Sequence, residues 1–242
     1  MSTSILPDAK SSLSKKQQIE TMFDGIAGKY DFLNRLLSFN IDIVWRKKVI
    51  QLLKPYKPQR ILDVATGTAD LAIALVALKP ISIIGIDISA GMLEIGRQKI
   101  AKKALQYQIQ LQKEDSENLP FESNTFDAVT VAFGVRNFEN LQKGLLEIFR
   151  VLQPEGQFII LEFSKVKTPL IKQFYHFYFR YVTPTIGKLF SKSANAYTYL
   201  PNSVQVFPEG EEMCVILQNV GFKKVKCKSL SFGIASIYHC QK

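Results

Sequence analysis

Between residues 60 and 163, short runs rich in Val and Ile alternate with amphipathic stretches. This is the pattern left by βαβ units wound around a buried parallel sheet. The strand-like runs are RILDVA (60–65), ISIIGID (81–87), YQIQLQKED (107–115), FDAVTVAFG (126–134) and GQFIILEFS (156–164). Helices are expected between them at 70–78, 90–103 and 141–152, the last closed by Pro154 and Gly156. Upstream, residues 15–54 read as helical, with Trp45 in IVWRKKVIQLL as a core residue and Pro55 and Pro58 marking entry to the first strand. Downstream, 168–190 combines aromatics with scattered bases, and FKKVKCKSLS and GIASIYHC pair as a hairpin around Phe232 and Gly233.

A chain of 242 residues with 47% hydrophobic side chains can bury one sizeable core. The organisation expected is a flexible segment at 1–18 and one domain at 19–242. Within that domain, a helical cap (19–58) precedes a cofactor-binding core (59–164), an aromatic substrate- or membrane-facing insertion (165–210) and a C-terminal helix and hairpin (211–242). The polar start lacks the apolar run of a signal peptide, and no apolar run approaches the roughly 20 residues needed to span a bilayer, so a cytoplasmic protein is expected. Cys214, Cys227 and Cys240 form no CxxC pair, and His176 and His239 have no partner at ligand spacing, so no disulfide framework and no metal are expected. The net charge of +10 is spread along the chain without a nucleic-acid motif. Nucleic acid is therefore not an expected partner, while peripheral contact with an anionic membrane surface and homo-oligomerisation stay open.

In an open parallel sheet, ligands bind beyond the carboxyl ends of the strands, where strand order reverses. After the first run comes DVATGTADL (63–71): small residues admit a ligand close to the backbone, Gly67 can take a positive φ, Thr68 offers a hydroxyl, and Asp63 can anchor the loop. The second run ends in Asp87, an acceptor-only carboxylate suited to both hydroxyls of a ribose. The third ends in Asp115 and Ser116, suited to an adenine amine. A pyrophosphate would require GxGxxG, and 63–71 contains Gly67 alone. A phosphate-free adenosyl cofactor, S-adenosylmethionine, fits the pattern.

YDFLNRLLSFNIDIVW (30–45) and RVLQPEGQFIILEFS (150–164) resemble the two signature segments of the ubiquinone/menaquinone biosynthesis methyltransferase family. GIDISAGML (85–93), EDSENLPF (114–121), NTFDAVTVAFGVRNF (124–138) and YTYLPNSVQVFP (197–208) extend the resemblance. It implies a doubly wound α/β fold with a mostly parallel seven-stranded sheet and an N-terminal helical cap. It also implies methyl transfer to a ring carbon of a prenylated quinol: demethylmenaquinol giving menaquinol or, alternatively, a 2-polyprenyl-6-methoxy-1,4-benzoquinol, or both. On this resemblance Arg136 and Asn137 are the foremost catalytic candidates, Arg136 as stabiliser of a phenolate. Tyr30, Asp31 and Asn34 close the site from the cap, with Asp31 or a water it holds as a base. Asp42 stands where the family usually carries a histidine, and Ala69 where a glycine is common. A methyltransferase acting on another phenol, sterol or lipid, and a non-catalytic assembly subunit keeping the cofactor fold, are the competing classes.

Overall fold

The computed structural model describes residues 5–38, 40–166 and 194–242. Its centre is one seven-stranded sheet of β1 (Arg60–Val64), β2 (Ser82–Asp87), β3 (Ile109–Lys113), β4 (Phe126–Ala132), β5 (Leu152–Phe163), β6 (Lys223–Leu230) and β7 (Ala235–Gln241). The order is β3-β2-β1-β4-β5-β7-β6. Strands β1 to β5 pair in parallel, and the terminal β6–β7 hairpin adds antiparallel to β5. Strand order reverses between β1 and β4, which opens a crevice at their carboxyl ends.

Alternation along the strands divides the core into two layers. Leu62, Val64, Val129, Val131, Phe158 and Ile160 face one side, packing on Leu145 and Ile148 of α5 (Leu141–Val151) and on Met213 and Leu217 of α7 (Glu211–Val220). Ile61, Ile83, Ala128, Ile159 and Leu161 face the other, under α2 (Ile41–Leu53), α3 (Asp70–Leu75) and α4 (Ala90–Lys102). Trp45 of α2 is buried there, stacking edge-on to Phe163 and donating from Nε1 to Ser231 Oγ at 2.9 Å. The remaining α-helices among the described residues are α1 (Lys15–Ser38) and α6 (Ala194–Val206). No helix among the described residues is long and apolar enough to cross a membrane.

Element boundaries depart from the sequence reading where backbone pairing overrides pattern. Helix α5 stops at Val151, and β5 begins at Leu152, opposite Phe126, rather than at Gly156. Pro154, Glu155 and Gly156 form an irregularity inside that strand instead of a helix stop, with Glu155 at φ 63°. Helix α1 starts at Lys15, inside the segment expected to be flexible, because Lys15 and Gln18 are buried. Helix α3 gives way to a 3-10 turn at Val76–Leu78. The aromatic segment 169–190 lies outside the described residues.

Asp42, the departure from the family histidine, is buried and accepts from Arg46 Nη1 at 2.5 Å and from Ser38 Oγ at 2.7 Å. Both partners belong to the cap. Removing one member of a buried pair strands the other charge. Arg46→Met is therefore expected to lower stability by about 3–5 kcal/mol in urea unfolding, and adding Asp42→Asn should recover a substantial part. A near-neutral Arg46→Met would contradict the structural role of the pair.

Candidate active site

The loop at 65–69 has three residues in left-handed backbone: Ala65 (φ 53°), Gly67 (φ 56°) and Ala69 (φ 65°). Such a path is costly for alanine and must be held in place. Asp63 holds it from below, accepting from Thr66 Oγ1 at 2.7 Å and from Thr130 Oγ1 of β4 at 2.6 Å. Asp87 holds it from the side, its two oxygens accepting from the Gly67 amide at 2.8 Å and the Ser89 amide at 2.9 Å. Across the reversal point, Gly134 lies so close that a Cβ there would sit 2.4 Å from the Ala65 Cβ. The loops after β1 and β4 are thus in direct contact, and only glycine permits it.

Around this loop lies a cleft of about 670 Å³, partly open to solvent. Its floor is Ala65, Gly67, Asp87 and Gly134; Ile88, Met92 and Phe138 give apolar walls; Asp115 and Ser116 close one end and Asn137 the other. Helix α1 roofs it with Lys16, Ile19, Phe23 and Tyr30. The roof is fastened by polar contacts: Lys15 Nζ donates to the Phe138 carbonyl at 2.7 Å, Lys16 Nζ to Asp115 at 2.5 Å, and Asp24 accepts from Ser89 Oγ at 2.6 Å and the Gly91 amide at 2.8 Å.

Six of the eleven residues singled out from sequence line the cleft: Tyr30, Gly67, Asp87, Asp115, Ser116 and Asn137. Asp31, Asn34, Asp63, Thr68 and Arg136 do not. Thr68, expected to reach a cofactor, is buried and donates its hydroxyl to Asp31 at 2.5 Å while accepting from Lys99 Nζ at 3.1 Å. Asp31, expected to act as a base itself or through a water it holds, is engaged by that hydroxyl and by Lys99 Nζ at 2.9 Å, and Lys99 also bonds Asp70. The pair ties the roof to the loop. Asp63 anchors the loop, through hydroxyls instead of amides.

Arg136 turns its guanidinium into the protein. Nη1 meets buried Glu162 at 2.6 Å and the Phe133 carbonyl at 2.6 Å, and the group lies over the Phe163 ring. Its positive charge is paired with Glu162 there, while Nε is buried with no hydrogen-bond partner among the described residues. Glu162 was overlooked in the sequence, where a lone acid inside an apolar strand (GQFIILEF) was its signal. Tyr199 was overlooked as well: it is buried, donates from its hydroxyl to Asn137 Oδ1 at 3.2 Å, and burial pushes its phenol up to about 12. Burial also raises the Tyr30 phenol, against a side-chain hydrogen bond from Asn34. Both phenols remain protonated near neutrality.

The ubiE/COQ5 methyltransferase family model matches residues 11–242. The chain belongs to this family. It is 48% identical over 229 residues to the demethylmenaquinone methyltransferase of Bacteroides fragilis, covering 94% of each chain. It is 46% identical over 230 residues to the ubiquinone/menaquinone biosynthesis C-methyltransferase UbiE of Geotalea daltonii, covering 94% of this chain and 97% of that one. Among solved structures, a SAM-dependent methyltransferase from Thermotoga maritima superposes with a TM-score of 0.65 over 92% of this chain and 99% of that one. At 19% identity it shares the fold.

Burial pushes the Asp63 and Asp87 carboxyls up to about 6, above their ordinary 3.8. The folded protein therefore holds these protons more tightly than the unfolded chain, so their contribution to stability falls as pH rises from about 4 to about 6 and stays low above it. Asp87→Asn removes one titration, and the difference in melting temperature between wild type and variant is expected to change across that window. A difference that stays constant from acid to neutral pH would contradict a raised Asp87.

Proposed function

We propose that this chain transfers the methyl group of S-adenosylmethionine to a ring carbon of demethylmenaquinol, giving menaquinol. The observation that carries this reading is the near full-length relationship to the Bacteroides fragilis demethylmenaquinone methyltransferase. The cleft agrees with it chemically. It offers carboxylates (Asp87, Asp115) and apolar walls, and its loop has no succession of glycine amides to cradle a pyrophosphate. That set of acceptors fits an adenosine bearing a sulfonium. Asp87 would take the ribose hydroxyls, in exchange for or alongside its present amide bonds, Asp115 and Ser116 the adenine end, and Met92, Ile88 and Phe138 the apolar faces.

When bound, that cofactor supplies an electrophilic methyl group for in-line displacement. The protein's part is alignment and the exclusion of water. Asn137 holds its side-chain oxygen toward Tyr199, so its amide nitrogen is the end suited to donate to an acceptor oxygen. Tyr30 adds a protonated phenol to the same cleft. Neutral donors of this kind stabilise charge as it develops on a quinol oxygen without a free cation. Arg136 keeps the turn 135–137 in place through Glu162, and so positions Asn137. A prenylated acceptor resides in a bilayer, so the reading includes peripheral contact with a membrane surface.

The test is turnover by the purified protein with S-adenosylmethionine and a chemically reduced, short-tailed demethylmenaquinol, read by mass spectrometry as gain of one methyl group on ring carbon. A matching benzoquinol in a parallel reaction measures the alternative acceptor, in keeping with the ubiquinone/menaquinone biosynthesis in the name of the Geotalea daltonii relative. Absence of turnover on both would sink the proposal. Asn137→Ala is expected to lower kcat by roughly 10²–10³ with a smaller change in KM for the methyl donor. An Asn137→Ala enzyme with wild-type kcat would remove the residue from the chemistry.

A further inference from the structure

The net charge of +10 is not evenly shared among the packed elements. Residues 43–62 carry six Lys and Arg and no acid, and residues 222–242 carry five Lys and no acid. These two segments meet in the fold: Trp45 of α2 bonds Ser231, and Tyr56 stacks edge-on to His239 of β7 at 5.6 Å. Strand β6 is the sheet edge beside them. Lys226 and Lys228 sit opposite His239 and Ile237, and Ile237 belongs to the core layer beneath α2. Cross-strand partners share a face, so both lysines project on the α2 side. They are exposed, as is Lys47 of α2, and none of the three is in an ion pair among the described residues. Arg46 is the exception within the cluster, its charge spent on Asp42.

At the end of this basic surface stand large apolar side chains that are exposed. Val44 is 62% exposed and Phe232 77% exposed, the latter held out at φ 58° in the turn between β6 and β7. That turn leads into Ala235, which pairs with Phe163 at the carboxyl end of β5, the same end of the sheet as the cleft. Lysines alone would suit any polyanion. Aliphatic and aromatic tips beside them gain nothing from a phosphate backbone, but they gain burial among acyl chains.

We propose that the corner formed by α2, the edge strand β6 and the β6–β7 turn is a docking surface for an anionic phospholipid bilayer, which Lys47, Lys226 and Lys228 attract and Val44 and Phe232 enter. This gives a location to the membrane contact included in the proposed function and rests on that reading only for its purpose. The surface turns the carboxyl end of the sheet, and with it the cleft, toward the lipid.

The test is co-sedimentation of the full chain with vesicles of phosphatidylcholine, alone or with one third phosphatidylglycerol. Binding is expected to the anionic vesicles, not to the neutral ones, and to weaken with salt. A basic side chain near an anionic surface strengthens partition roughly fivefold, so Lys226→Gln with Lys228→Gln should lower it roughly twenty-five-fold. Val44→Ser with Phe232→Ser should lower it by roughly tenfold or more. Both double variants should keep the wild-type melting temperature and turnover of a short-tailed, water-soluble acceptor. No binding, equal binding to neutral vesicles, undiminished binding by either variant, or a preference for duplex DNA over anionic vesicles would each overturn the proposal. Vesicle binding that obeys the variants in a protein that methylates neither quinol would sustain the docking surface while removing the acceptor.

Discussion

A loop with three left-handed residues in five keeps its shape only if buried acceptors take the protons it presents, and Asp63 and Asp87 are those acceptors. Much of the site follows from this constraint. Asp63 couples the loop to β4 through Thr130, so the two strands flanking the reversal point are held in register at the place where the crevice opens. Asp87 couples it to the amide that starts α4, so the cleft floor and the helix beside it move as one body. The cost is two carboxylates driven toward protonation by burial.

The roof obeys a different rule. Ile19 and Ala27 of α1 are buried, yet the contacts that set the helix over the cleft are lysines and aspartates at Lys15, Lys16, Asp24 and Asp31. Those at Lys16, Asp24 and Asp31 lie at the edge of solvent, where polar fasteners are individually weak and can be broken one at a time. A roof built of them suits a cleft that must release one adenosyl product and admit the next donor, whereas the strand-anchored floor has no such need to open.

Much of the fold was legible because buried parallel strands leave unbroken Val and Ile runs, whereas the antiparallel hairpin at Phe232 and Gly233 is marked by two strand-like runs flanking a turn. Boundaries were legible to within a few residues, except at β5, where pairing of Leu152 with Phe126 overrides the turn chemistry of Pro154 and Gly156. In the site, the strand-end residues Gly67, Asp87, Asp115, Ser116 and Asn137 all line the cleft. Side-chain direction was not legible. Thr68 and Arg136 occupy the expected positions on the chain, but a partner distant in sequence, Asp31 for one and Glu162 for the other, turns each away. Lys16 and Tyr199 gave no local signal of role, since their partners Asp115 and Asn137 lie 99 and 62 residues away.

The orientation of Arg136 bears on how a quinol would be activated. A guanidinium paired with a buried carboxylate is costly to separate from it inside the protein. An acceptor in this cleft would instead meet hydrogen-bond donors that carry no net charge, Asn137 and the protonated Tyr30, with Tyr199 fixing the orientation of the former. Donors of that kind leave the neutral quinol and its anion closer in energy without drawing a permanent anion into the site, where the carboxylates Asp87 and Asp115 would oppose it. In the proposed reaction, the ion pair thus acts as scaffold for the turn that presents Asn137, and the chemistry falls to the neutral groups.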